Sequence, residues 1–164
     1  MIVLGVDAGS LSTGYGVVEG KGNVHRAVEF GAVRNPPGRE HAQRLALIYK
    51  EIRKVIQRTH PELLAMEEVF MAKNPQSALK LGQVRGAVMV AAVEEDLPVA
   101  EFSPLEIKAA VTGFGHAQKE QVQFMVKTIL GLPRVPQPHD ASDALAVALC
   151  ALQHSGWAKK VAAR

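Results

Sequence analysis

The segment that most restricts the fold is residues 138–152, which read PHDASDALAVALCAL. Apolar residues lie on nearly every face after the first turn, which predicts a helix buried on all sides. Yet Asp140 and Asp143 lie near its start, three residues apart and therefore on one face. Two neighbouring carboxylates on a buried helix repel each other unless something neutralises them. The segment therefore raises the question of what lies beside these two acids.

Composition limits the classes of protein that need be considered. The chain has 164 residues, 48% hydrophobic and 21% charged, which suits one soluble domain. Its apolar runs are shorter than the roughly 20 residues of a membrane helix, and the N-terminal MIVLGVDAG lacks the features of a signal peptide. The single cysteine, Cys150, excludes an intrachain disulfide and a cysteine-based zinc site. We therefore expect a cytoplasmic protein without a membrane partner.

The net charge is a weaker guide to partners. At +3, with an isoelectric point of about 9.1, the chain is mildly basic. This charge is compatible with binding to nucleic acid but does not require it.

Hydrophobic patterning predicts an α/β fold with a mixed five-stranded sheet flanked by helices. We expect one domain over residues 1–154 and a disordered tail over 155–164. The first strand ends at Asp7 and the fourth ends at Glu67, with an amphipathic helix over 40–59 between them. This helix makes the two strands parallel neighbours, so that their ends meet at one edge of the sheet.

The final helix could pack across that edge and bring four acids together. Asp7, Glu67, Asp140 and Asp143 would then form a site for hard divalent ions such as Mg²⁺ or Mn²⁺. Two ions roughly 3.5–4 Å apart can clamp a phosphodiester and activate water. Alternatives remain for single residues, because Asp140 could cap a helix and Asp7 could form a turn. Glu68 should point away from Glu67 and into solvent.

Two other features suggest contacts with nucleic acid. Lys119 lies in the first turn of a predicted helix, where a cation opposes the helix dipole unless an anion is near. A solvated lysine is the alternative. Phe70 and Met71 follow the acidic strand, and an exposed aromatic there could stack on an unpaired base, although partial burial in the core is the alternative.

Four motifs in order resemble a known family. They read GVDAGSLSTGYGVV, AMEEVFMAKNPQSALKLGQVRG, GFGHAQKEQVQFMV and HDASDALAVAL. Together they are similar to the RuvC family of Holliday-junction resolvases, from about residue 1 to 154. The resemblance implies a ribonuclease-H-like fold and a homodimer. It also implies paired symmetric nicking of four-way DNA junctions in recombination and repair, dependent on two Mg²⁺ or Mn²⁺ ions, leaving 5′-phosphate and 3′-hydroxyl ends.

The same resemblance implies roles for particular residues. The metal-binding and catalytic acids would be Asp7, Glu67, Asp140 and Asp143. The DNA-binding residues would be Phe70, Met71, Lys73, Lys80, Arg85, Lys108 and Lys119. The dimer interface would be the helix over 77–94, with Ala78, Gly82 and Gly86. Cooperation with the branch-migration motor proteins RuvA and RuvB, in a bacterial cytoplasm and at the nucleoid, is also implied.

The chain departs from the family pattern at one motif. Asp7-Ala8-Gly9 stands where the family usually has Asp-Pro-Gly, which removes a rigid residue beside the key acid. Some members carry histidine at the position of Asp140, which makes the role of this residue the least defined of the four.

Other classes are compatible with parts of the sequence. DAGSLSTG also resembles the phosphate-binding turn of actin-like ATPases and sugar kinases, but those proteins need a second similar domain. A YqgF-type RNA-processing nuclease would share the fold but should lack FMAKN and the long small-residue helix. A junction-binding scaffold without catalysis is the third alternative, and the presence of all four acids argues against it.

Overall fold

The computed structural model describes residues 1–69 and 74–154. In these residues the chain forms every predicted strand and helix, with ends displaced by a few residues at most. The elements are β1 (Ile2–Asp7), β2 (Ser12–Lys21), β3 (Val24–Arg34), α1 (His41–Thr59), β4 (Leu63–Glu67), α2 (Pro75–Val93), β5 (Val99–Phe102), α3 (Pro104–Thr112), α4 (Lys119–Ile129) and α5 (His139–Gln153). The predicted tail over 155–164 lies outside the described residues.

The five strands form one mixed sheet in the order β3-β2-β1-β4-β5. β2 runs antiparallel to β1 and β3, while β4 is parallel to both β1 and β5. The predicted parallel pairing of β1 with β4 is confirmed, with α1 as the crossover between them. The ends of β1 and β4 that carry acids therefore lie side by side.

Helices cover both faces of the sheet. α5, with α3 and α4, packs on one face, where Val3 and Leu63 join Leu145 and Leu149 in one core cluster. α1 and α2 pack on the other face, where alternate strand residues form a second cluster. Within the described residues no helix is both long and apolar enough to cross a membrane.

α5 is buried on all sides because it lies directly on the strand backbones. A Cβ at Gly5 would lie 2.0 Å from the carbonyl oxygen of Ala144, and one at Gly14 would lie 2.1 Å from that of Asp140. Real Cβ atoms do not approach backbone so closely, so glycine is required at both positions for the helix to sit this deep. These glycines set the height of the acidic end of α5 above the sheet.

We expect Gly5→Ala to destabilise the fold by about 3 kcal/mol, because overpacking a buried site forces the backbone to move. The matched control is Gly20→Ala, also in a strand, where the new Cβ would meet chiefly the side-chain end of Leu152 at 2.9 Å. That flexible side chain can rotate away. Urea unfolding at fixed protein concentration measures both variants, and equal losses would contradict this account of the packing of α5.

Candidate active site

Asp7 and Glu67 lie at the ends of two neighbouring parallel strands. Successive side chains of a strand point to opposite faces of the sheet. Val3 and Leu63 point toward α5, so alternation along each strand places Asp7 and Glu67 on the α5 side as well. Val6 pairs with Met66 in the register of the two strands, which brings the next residue of each strand to the same level.

α5 supplies the other two acids from above the sheet edge. The helix begins at His139, and its N-cap residue Pro138 makes no side-chain cap. The interpretation of Asp140 as a helix cap is therefore wrong. Instead, Ser12 Oγ at the start of β2 donates a hydrogen bond to Asp140 Oδ2 at 2.5 Å, and Lys119 Nζ donates one to Asp143 Oδ2 at 2.7 Å.

These contacts answer the question raised by the buried helix. A serine hydroxyl from the first hairpin satisfies one carboxylate oxygen of Asp140 with a hydrogen bond, and the positive charge of a lysine from α4 pairs with Asp143. Lys119 is the first residue of α4, as predicted. The anion beside it in this structure is a protein carboxylate, and the hydrogen bond to Asp143 raises the pKa of Lys119.

The acids influence each other strongly. Burial, then the charges of Asp143, Asp140 and Glu67, raise the pKa of Asp7 to about 7. Burial and the charge of Asp143 also raise the pKa of Glu67, against the opposing effect of nearby cations. Four carboxylates thus share an electrostatic environment in which full ionisation is costly without added positive charge.

The donor set fits a hard divalent cation. The carboxylate oxygens are the ligands that Mg²⁺ and Mn²⁺ prefer, and the excess of negative charge would be relieved by such ions. Among residues 1–69 and 74–154, however, no three acidic, histidine or cysteine side chains meet closely enough to hold one ion. Ser12 and Lys119 hold two of the acids, so the fit rests on donor chemistry and charge.

A cleft of about 220 Å³ opens beside the acids. Its polar lining is Glu67, Asp143, Lys108 and Lys119, and its apolar lining includes Ile107 and Val122. The charge of Lys108 opposes the rise that burial and Asp143 cause in the pKa of Glu67. Both lysines predicted to contact phosphates therefore lie next to predicted metal-binding acids, which is where the backbone of a nucleic acid would have to pass.

The other predicted DNA-binding residues differ in position. Lys80 is exposed on α2. The Arg85 side chain is only 11% exposed and turns inward, donating hydrogen bonds to the carbonyl oxygen of Glu67 and to Glu101. Phe70, Met71 and Lys73 lie outside the described residues.

Two further side chains, those of Glu68 and Ser12, lie where the sequence did not predict them. Glu68, expected to be the more solvated of Glu67 and Glu68, is half-buried and lines a second cavity with Arg85. Ser12 was not identified, because a serine in a turn rich in Ser, Thr and Gly carries no signal of its own. Only the register of β2 beneath α5 reveals its contact with Asp140.

The strand order, the antiparallel β2 and the acids at the ends of β1, β4 and α5 define a ribonuclease-H-like fold with a polar site at the sheet edge. The family model described as "Crossover junction endodeoxyribonuclease RuvC" matches residues 3–151. The chain belongs to this family.

Individual relatives agree with this assignment. A protein named crossover junction endodeoxyribonuclease RuvC from Pelotomaculum thermopropionicum is 50% identical over 161 residues, covering 98% of each chain. The structure of Thermus thermophilus RuvC in complex with Holliday junction substrate is similar, with a TM-score of 0.86, 35% identity and coverage of 98% of this chain and 96% of that one. The yeast mitochondrial Holliday junction resolvase shares the fold at 14% identity, with a TM-score of 0.67 and coverage of 98% and 80%.

Proposed function

We propose that this chain is a Holliday-junction resolvase, a homodimeric metal-dependent endonuclease that makes paired symmetric nicks in four-way DNA junctions. The observation that carries the proposal is the convergence of four carboxylates and two lysines at one sheet edge. Membership of the RuvC family and likeness to a relative bound to a Holliday junction support the choice of substrate.

The residues of the site have separate roles in this reaction. Asp7, Glu67, Asp140 and Asp143 would hold two Mg²⁺ or Mn²⁺ ions, which would activate water and stabilise charge on the phosphodiester. Lys108 and Lys119 would bind the phosphates that flank the cut bond. Ser12 would orient Asp140 through its hydrogen bond.

The contacts that distinguish a junction from a duplex remain predictions from the sequence. Phe70, with Met71 and Lys73, would act near the junction centre, where bases are easier to unstack. Lys80 would contribute a phosphate contact from the exposed side of α2.

A cleavage assay on a synthetic four-way junction, with and without Mg²⁺, tests the function. With Mg²⁺ we expect symmetric nicks whose ends DNA ligase can seal. In EDTA we expect no nicks. Cleavage of structured RNA in preference to the junction would favour a YqgF-type nuclease. Tight binding to the junction with no cutting in Mg²⁺ would favour a non-catalytic scaffold.

The outer face of α2 supports a homodimer. Leu79, Val90 and Val93 are 70%, 50% and 67% exposed, and with Gly82 and Gly86 they recur every three or four residues along one face. Among the described residues, a Cβ at either glycine would meet no atom within 4 Å apart from its chain neighbours and the adjacent backbone of its own helix. Ala78 lies half-buried near the start of the same helix. An apolar face with small residues at its centre would let a second copy of α2 approach closely, and a two-fold dimer would place two sites on a two-fold junction.

We expect Gly82→Glu to weaken the dimer at least tenfold, because a charge would be buried between two apolar helices. Glutamate favours a helix more than glycine does, so the loss cannot be ascribed to melting of α2. Ser77→Glu is the matched control, since it adds the same charge to an exposed position away from this face. Sedimentation equilibrium at micromolar protein measures both variants, and a monomeric parent would contradict the proposal.

Cooperation with the motor proteins RuvA and RuvB, and action at the nucleoid of a bacterial cytoplasm, belong to the same proposal. Both rest on family membership. Co-sedimentation of the chain with junction DNA and purified motor proteins would test the first.

A further inference from the structure

Arg85 is a buried cation on α2, on the side of that helix that faces the sheet edge. Its side chain is 11% exposed. One guanidinium nitrogen donates to the carbonyl oxygen of Glu67, and another donates to the carboxylate of Glu101 on β5. The side chain thus ties the last residue of β4 to the neighbouring strand and to α2.

The surroundings of Arg85 are strongly acidic. It lines a cavity of about 280 Å³ with Asp7, Glu67 and Glu68. Burying a guanidinium is costly unless charged or polar groups pair with it, and leaving one unpaired is more costly still. The paired acids and the carbonyl therefore determine where Arg85 lies. In return, the rigid fork of the guanidinium determines where the end of β4 lies.

The position of β4 matters because Glu67 is one of the proposed metal-binding acids. Its carboxylate points toward α5 and its carbonyl is held by Arg85, so the residue is fixed at the backbone while its side chain reaches into the site. Outer-shell partners of this kind orient ligating carboxylates, and their loss commonly lowers metal affinity 10–100-fold.

We infer that Arg85 is a positioning residue that fixes Glu67 for metal binding, with Glu101 as its partner, and not a contact for DNA phosphates. The inference rests on the proposed function, because it assumes that Glu67 holds a metal ion. It differs from the role expected from the sequence, in which Arg85 belongs with Lys80 on a DNA-binding surface. A guanidinium that is 11% exposed, with two of its nitrogens directed at acceptors inside the protein, presents little surface to a phosphate.

The experiment compares Arg85→Met, Arg85→Lys and Glu101→Gln with Lys80→Ala, an exposed cation on the same helix. The first readout is Mn²⁺ binding by the full chain without DNA, measured from the free Mn²⁺ signal in electron paramagnetic resonance. The second is the salt dependence of junction binding in Ca²⁺. The third is urea unfolding.

We expect Arg85→Met to lower Mn²⁺ affinity 10–100-fold and to leave the salt slope unchanged. Arg85→Lys should recover part of the affinity because it keeps the charge, and Glu101→Gln should lose several-fold because it loosens the guanidinium. Lys80→Ala should bind Mn²⁺ like the parent and lower the salt slope by about one unit.

Parent-like Mn²⁺ affinity in Arg85→Met would overturn the inference, whether the salt slope falls, as for a DNA contact, or only the urea midpoint falls, as for a structural residue. If Arg85→Met does not fold, Arg85→Lys and Glu101→Gln decide in the same way: a loss of affinity supports the inference and parent-like affinity overturns it. Failure of the parent chain to cut junctions would count against the proposed function alone, because the Mn²⁺ comparison does not depend on cutting.

Discussion

Asp7→Asn and Asp143→Asn should each reduce junction cutting by about three orders of magnitude while leaving junction binding close to that of the parent. Asparagine keeps the size and polarity of the side chain but removes the negative charge. A metal ligand contributes several kcal/mol to stabilising the charge of the transition state, which corresponds to about this loss of rate. Binding should persist because it depends mainly on lysines and on the shape of the surface.

Asp96→Asn is the matched control for these variants. Asp96 is exposed and lies in the left-handed region with φ of 53°, which asparagine adopts readily, so this variant should cut at the parent rate. Single-turnover cleavage with Mg²⁺ measures the rates, and binding in Ca²⁺ measures affinity. If Asp7→Asn lost binding and cutting in equal measure, the acids would be structural and the proposed chemistry would fail.

The stability of the metal-free protein should fall as the pH rises, because of Asp7. The pKa of Asp7 is raised in the folded state from 3.8 to about 7. Below about pH 3 Asp7 is protonated in both the folded and the unfolded chain, so its raised pKa does not change the free energy of unfolding there. As the pH rises from about 3 to about 7, the unfolded chain ionises while the folded chain keeps its proton, and the free energy of unfolding falls by on the order of 4 kcal/mol.

We therefore expect Asp7→Asn to be more stable than the parent in EDTA at pH 8, by on the order of 4 kcal/mol, with the difference vanishing near pH 3. Urea unfolding at a fixed protein concentration measures both proteins across this range. Added Mg²⁺ at pH 8 should stabilise the parent more than the variant, since a ligand that binds only the folded chain raises its stability. A difference between the two proteins that does not change with pH would contradict the raised pKa.

Much of this molecule can be predicted from local patterns. Short continuous apolar runs place β1 and β4, and helical periodicity places α1. The spacing of Asp140 and Asp143 puts both acids on one face of α5. The capping of α3 by Ser103, with Pro104 in the first turn and a reciprocal bond from Glu106, also follows from neighbours in sequence. Local rules succeed here because each depends on residues within a few positions of one another.

The hydrogen-bond partners of Asp140 and Asp143 do not follow from local patterns. Ser12 lies 128 residues from Asp140, and Lys119 lies 24 residues from Asp143. Neither pairing has a period or a spacing that could predict it. Both exist because Gly5 and Gly14 let α5 settle onto the strand backbones at one height and one register.

Arg85 shows most clearly that the direction of a long side chain cannot be predicted from the sequence. In the sequence it is one more cation on a helix rich in small residues, between Gly82 and Gly86, and the resemblance to the RuvC family implies that it contacts DNA. The order of the elements, the strand ends at Asp7 and Glu67, and the shared face of Asp140 and Asp143 follow from the sequence, because they depend on the backbone geometry of strands and helices. Which cations face the acids depends on tertiary packing, because a side chain as long as that of arginine can point outward or inward, and burial beside Glu67 and Glu101 selects between the two.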